Sequence, residues 1–289
     1  MIMLRLLVTS LLLFFSSLSA ALMQGTVAYT FTDKMAYPTD VATMSDGRVL
    51  VVDGVNQEVV IFNTTGQATY LTNREFVRLI GIYIDTEDQI YLTDTGAKAI
   101  FIFNKNLSLQ TKINLNQDID PTDVVPVGKD VLYVVNNDGH QVVKIDRSGK
   151  ELARLGGEGR NRGQFKYPAT ITSGADKSLY VVDVFNGRIQ IIGKDDRFLG
   201  QYGEWGVTAG QLFRPKGVAV SSNGQVFVSD SFLGVVQVFY PGNRTPDVLL
   251  DQDFKTIHLQ NPTGLWLDKN GILWVVESAK NQVLGFKIK

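Results

Sequence analysis

The chain contains no cysteine. That absence removes disulfides, thiolate metal ligands, a CxxCH haem attachment and an acylated-cysteine anchor. Histidine is scarce as well: His140 and His258 are the two in the sequence, and they form no HxH or HxxxH pair. Charge of one sign is also lacking. A formal net charge of −1 gives no broad field to hold nucleic acid or an anionic membrane. No GxSxG elbow, phosphate-binding loop or dinucleotide fingerprint stands in its required setting, so no catalytic residue is assigned. With 44% hydrophobic and 20% charged residues, the composition is that of a folded globular protein.

The apolar run Leu6–Phe15 is shorter than the ~20 residues a spanning helix needs. It follows Arg5 and precedes Ser16, Ser17, Ser19, Ala20 and Ala21. A basic start, a short apolar stretch and small residues at a cleavage point describe a secretory signal peptide over residues 1–21. The mature chain, 22–289, is therefore expected to be periplasmic or secreted and of bacterial type, because a large core can hold an exported protein without disulfides. No stable membrane insertion is expected after cleavage.

What the sequence does have is a repeat. An apolar run ends in an acidic or amide residue at Asp53, Asp94, Asn136, Asp183, Asp230 and Glu277, at spacings of 41, 42, 47, 47 and 47. Three residues earlier stand Leu50, Tyr91, Tyr133, Tyr180, Phe227 and Trp274. Six residues later stand Val59, Ile100, Val142, Ile189, Val236 and Val283. Each copy thus holds a hairpin of two apolar strands about a polar turn, as in Ser178–Ile192. An upstream strand precedes it, introduced by Pro38, Pro121, Pro168, Pro215 and Pro262, with Leu79 in the second copy. Proline suits a strand's first residue, where the ladder has not begun. Asp46-Gly47, Asn223-Gly224 and Asn270-Gly271 supply turns into the hairpin.

Outer strands read as Thr69–Leu71, Leu109–Ile113, Leu152–Leu155, Leu199–Tyr202 and Val248–Leu250; the sixth copy lacks one. A forties period with four strands per copy is the signature of a propeller blade. The expected fold is all-β, a six-bladed β-propeller forming one domain over 22–289. The segment Thr26–Phe31 alternates polar and apolar residues and is expected to complete the last blade, closing the ring and hiding a strand edge.

Copies four and five carry a resemblance. Gly163-Gln-Phe-Lys-Tyr-Pro168 and Gly210-Gln-Leu-Phe-Arg-Pro215 lead into strands ending at Asp183 and Asp230, and Asn186, Gly187, Arg188 and Ile189 follow the first. This pattern is similar to NHL repeats, across essentially all of 26–289. Leu79 and Asn136 depart from it. The resemblance implies a six-bladed propeller whose lead-in loops and second-to-third-strand loops share one face. Its members include protein-binding scaffolds, RNA-binding domains and a copper-free lyase acting on peptidyl-hydroxyglycine, so fold does not settle function. The lyase branch implies a metal held by several histidines, which two separated histidines do not supply. Calcium-dependent, lactonase-like propellers use oxygen ligands, which the composition permits, but no motif supports one. No cofactor is therefore expected, and no metal ligand is assigned.

A residue that recurs in every copy serves the repeat, so the marker acids are expected to accept backbone N–H groups in their own turns. Candidate binding residues are instead the unshared polar ones on the lead-in face: Asp40, Arg78, Asp123, His140, Arg188, Arg214 and Lys216. The expected role is a monomeric, non-catalytic binding or scaffold module for a protein or peptide, without nucleic acid. A metal-dependent lyase or lactonase-like enzyme at the same rim is the alternative.

Overall fold

The computed structural model describes residues 22–242 and 244–289. The expected signal segment lies outside the described residues. Strand β1 (Gly25–Phe31) comes first. Blade 1 follows as β2 (Pro38–Thr43), β3 (Val49–Asp53), β4 (Glu58–Phe62) and β5 (Ala68–Leu71). Blade 2 is β6 (Leu79–Ile84), β7 (Ile90–Asp94), β8 (Ala99–Phe103) and β9 (Leu109–Asn114). Blade 3 is β10 (Pro121–Val127), β11 (Val131–Asn136), β12 (Gln141–Asp146) and β13 (Glu151–Gly156). Blade 4 is β14 (Pro168–Ser173), β15 (Leu179–Asp183), β16 (Arg188–Ile192) and β17 (Phe198–Tyr202). Blade 5 is β18 (Pro215–Val220), β19 (Val226–Asp230), β20 (Val235–Phe239) and the short β21 (Asp247–Val248). Blade 6 is β22 (Pro262–Leu267), β23 (Ile272–Glu277) and β24 (Gln282–Ile288). Each blade is an antiparallel four-stranded sheet, and the six stand in a ring.

The sixth sheet takes its fourth strand from the other end of the chain. β1 pairs antiparallel with β24, from Gly25 opposite Ile288 to Phe31 opposite Val283, with a bulge between Val27 and Tyr29. Tyr29 stacks on Trp274 at 5.3 Å between centroids, and Phe31 stacks on Phe62 of blade 1 at 4.4 Å. The closing strand therefore also bridges blades 6 and 1. Strands β3, β7, β15 and β19 are buried at every residue, as apolar runs sandwiched between neighbouring blades must be.

All six innermost strands begin at the proline, or at Leu79, that introduces them, but regular pairing starts only two to three residues later. The reason is a bulge one residue in, which interrupts the pairing register after Pro38, Leu79, Pro121, Pro168, Pro215 and Pro262. The outer strand of blade 5 is shorter than expected because Leu250 bonds instead to Met23 and Gly25, although the Leu249 N–H still donates to Val236 of β20.

The marker residues are fully buried and do more than hold their own turns. Each also accepts an N–H from the lead-in loop of its blade: Asp53 from Ala36, Asp94 from Val77 and Arg78, Asn136 from Asp120. Asp183 does so from Lys166, Asp230 from Phe213 and Arg214, and Glu277 from Gln260. The same groups close the following turn, as when Asp230 accepts from Phe232 and Leu233. One side chain thus fixes two loops against each other, and those loops form one face of the ring.

A chain lacking Gln24–Phe31 is expected to unfold roughly 10 °C or more below the intact protein in a thermal scan, since several kcal/mol of strand pairing are lost. An unchanged transition would contradict ring closure by β1.

Candidate functional site

Where the six innermost strands converge on that face, a funnel of about 260 Å³ opens along the axis. The second residue of each strand lines it: Thr39, Ile80, Thr122, Ala169, Lys216 and Thr263. The third residues form the next ring down: Asp40, Gly81, Asp123, Thr170, Gly217 and Gly264. Tyr83 of blade 2 and Trp266 of blade 6 meet edge-on at 5.4 Å deeper in the channel, with the Trp266 indole N–H bonded to Thr43 Oγ1.

Two chemistries satisfy the bulged strands. In blades 1 and 3 the carboxylate does it. Asp40 accepts from its neighbour Val41 and from Ile82 of blade 2. Asp123 accepts from Val124 and from Ile171 of blade 4. In blades 2 and 5 the third residue is glycine, and a hydroxyl from the second strand occupies the vacated space. Thr93 accepts from Gly81 N–H and donates to the Thr122 carbonyl, while Ser229 accepts from Gly217 N–H and sits as donor to the Thr263 carbonyl. Thr39, Thr122 and Thr170 donate to Ile80, Ala169 and Lys216 carbonyls, and Ser278 donates to that of Pro38. Every blade boundary around the axis is crossed by such a bond. The glycines are required by space: a Cβ on Gly217 would lie 2.3 Å from the Thr263 carbonyl oxygen, and one on Gly264 2.3 Å from Asp40 Oδ1.

Burial pushes the Asp40 carboxyl up from 3.8 to about 7 against the pull of its two N–H bonds. Asp123 is raised well above its ordinary value, first by burial and then by the charge of Asp40. Lys216 moves the other way: burial lowers its pKa, and the Arg214 charge adds to this.

Of the candidate residues, the funnel therefore gathers Lys216 and Asp40, with Asp123 beneath. Arg214 lies on the rim, its guanidinium 5.2 Å over the Phe185 ring. Arg78 is exposed on blade 2, with its backbone held by Asp94. His140 is half-buried, and its Nδ1 accepts from Tyr167 N–H of blade 4. It occupies the left-handed turn position four residues past the marker, which is Gln57, Lys98, His140, Gly187, Gly234 and Asn281 around the ring. Gln57 and Asn281 likewise accept from the next blade, at Leu79 and Tyr37. Arg188 is buried inside blade 4. It forms a 2.8 Å ion pair with Asp183 and donates to Gln201 and the carbonyls of Asn161 and Gln164.

The sequence reading missed the aromatic surface beside the funnel. His140 meets Tyr167 at 4.5 Å, and Tyr167 meets Phe185 at 5.4 Å. Further round, Trp205 meets Phe213 at 5.2 Å and Phe213 meets Phe232 at 4.2 Å. Phe185, Trp205 and Phe232 are 45%, 61% and 63% exposed. A signal existed: Phe185 and Phe232 both stand two residues past the marker, in copies four and five alone. Among the described residues, no group of three or more His, Asp or Glu side chains converges as a metal site would require.

The raised carboxyls make a signed prediction. The folded chain holds the Asp40 proton more tightly than the unfolded one, so its contribution is full below about pH 4 and is lost as pH rises to about 7. Chemical denaturation should therefore show wild type losing stability relative to Asp40→Asn between those values, with the difference level above them. A difference independent of pH would contradict the raised carboxyl.

A family model described as 6-bladed beta-propeller matches residues 37–182, just over half of the chain. No curated protein matches the sequence. Among solved structures, a gluconolactonase of Xanthomonas campestris superposes with a TM-score of 0.70 at 14% identity, over 94% of this chain and 96% of that one. A catalytically inactive virginiamycin B lyase from Staphylococcus aureus, solved with quinupristin, gives 0.65 at 17% identity, over 90% and 83%. An auxiliary nutrient binding protein of Bacteroides thetaiotaomicron gives 0.69 at 10% identity, over 88% and 69%. At such identities these likenesses show the fold alone. By the family match and by its six blades, the chain belongs to the 6-bladed beta-propeller family.

Proposed function

We propose that the protein is an exported, non-catalytic binding module of NHL type, and that it recognises a protein or peptide on the face bearing the funnel. The observation that carries this reading is the aromatic arc of blades 4 and 5. Exposed, mutually contacting aromatics on one side of a rim are what a recognition surface presents, and such residues dominate binding energy where partners dock. They sit on loops fixed at both ends by buried carboxylates, so little ordering cost accompanies binding. They also occupy positions the copies do not share, which the repeat itself does not need.

The structural neighbours supply both readings, since two are enzymes by name and one is a nutrient binding protein. A metal-dependent lyase or lactonase-like activity is the second reading. The buried carboxylates of the channel are already committed to backbone N–H groups, which favours the first.

Affinity capture from the native envelope with the mature chain, compared with a Phe185→Ala/Trp205→Ala/Phe232→Ala variant, tests the proposal. The variant is expected to lose at least tenfold in capture of the same partner while keeping its thermal transition. Equal capture would remove the arc as the interface. Stoichiometric zinc or calcium retained after dialysis would move the assignment to the enzyme.

A further inference from the structure

Lys216 is the one cation among the residues lining the funnel, and Asp40 the one anion. Among the described residues no oxygen accepts from Lys216 Nζ and no carboxylate pairs with it, although the side chain is half-buried. A partly desolvated ammonium without a counter-ion is costly, and the fold keeps it beside a second cation, Arg214. Asp40 forms no ion pair with it among the described residues; its oxygens accept from the Val41 and Ile82 N–H groups.

The walls show what else a ligand must bring. The hydroxyl protons of Thr39, Thr122 and Thr170 are spent on carbonyls of the next blade. The Asn137 amide donates to the Pro168 carbonyl, and that of Asn261 to the Tyr37 hydroxyl. The three threonine hydroxyls can therefore only accept from a ligand, while the Tyr37 hydroxyl and the second N–H of each amide remain as donors. A complementary ligand therefore carries an anionic group for Lys216 and N–H or O–H donors for the threonines. At about 260 Å³ the funnel, open at the rim, has room for the end of a longer ligand.

We infer that the funnel receives the free C-terminal carboxylate of a peptide, paired with Lys216, while the last backbone N–H groups donate to the threonine hydroxyls. This rests on the peptide-binding reading above and names the part of the partner that enters the axis. The aromatic arc then contacts the residues that precede the chain end.

The test uses the intact mature protein and calorimetric titration with three probes: a mixed-sequence tetrapeptide library with free C-termini, the same library amidated, and gluconate as a small hydroxylated carboxylate. Amidation should weaken binding at least tenfold, as loss of a charge-assisted pair requires. Lys216→Met should lose the same factor and become indifferent to amidation, while Lys216→Arg keeps most of the affinity. Equal binding of acid and amide forms by wild type would overturn the inference; if both are then lost in the aromatic-arc variant, the peptide-binding reading survives alone. Lys216-dependent binding of gluconate without the free-acid peptides would overturn the peptide source of the carboxylate. The amidation comparison on wild type and the Lys216→Arg variant keep the test decisive if Lys216→Met does not fold.

Discussion

The structure depends on a buried acceptor side chain repeated around a ring, a carboxylate in five blades and the Asn136 amide in the third. Each marker side chain, at the end of the second strand, reaches back to the lead-in loop of its own blade and forward to the turn that follows. An acceptor buried completely is tolerated because several N–H donors point at it, and those donors would otherwise be unsatisfied loop backbone. In blade 4, where Asp183 has a raised pKa through burial, Asn186, the Lys166 N–H and Arg188 pull it back down. The loops so fixed are the ones that form the funnel and carry the aromatics.

A second constraint acts at the axis. Six bulged strands approach closely there, and each boundary is crossed by a hydroxyl or a carboxylate. Gly81 lies against Asp123 and Gly264 against Asp40, a packing solution in which a large third residue faces a missing side chain next door, while Gly217 makes room for the backbone of Thr263 and Gly264. Because that solution differs from blade to blade, the channel is not six-fold symmetric. One position, Lys216, carries an ammonium that pairs with no carboxylate among the described residues.

The blades and the closing strand were legible in the sequence because they rest on local periodicity. The second hairpin strand starts five residues past the marker in every copy, and β1 sits where a fourth strand was missing. The bulges were not legible. A bulge keeps the same residue types and shifts only their pairing, so Asp40 and Asp123 read as rim residues when they lie inside the channel. Arg188 read as an unshared surface charge for a similar reason: its ion pair with Asp183 depends on burial, which the sequence does not display. Lys216 kept its place as a candidate, but its isolation is visible only when every neighbour is counted.

Solved propellers at 10–17% identity serve as lyase, lactonase and binding protein, so the fold leaves the choice to the rim. Here the rim offers exposed aromatics, and the funnel beside it an ammonium and threonine hydroxyls that accept hydrogen bonds. The most direct measurement of whether this face is the working surface is hydrogen–deuterium exchange of residues 22–289 with and without a partner of the proposed kind. Slower exchange is expected in the lead-in segments 163–167 and 204–214 and in the turns at 184–187 and 231–234, with the opposite-face turns at 44–48 and 221–225 unchanged. Protection of the opposite-face turns, with the funnel side unaltered, would contradict the account.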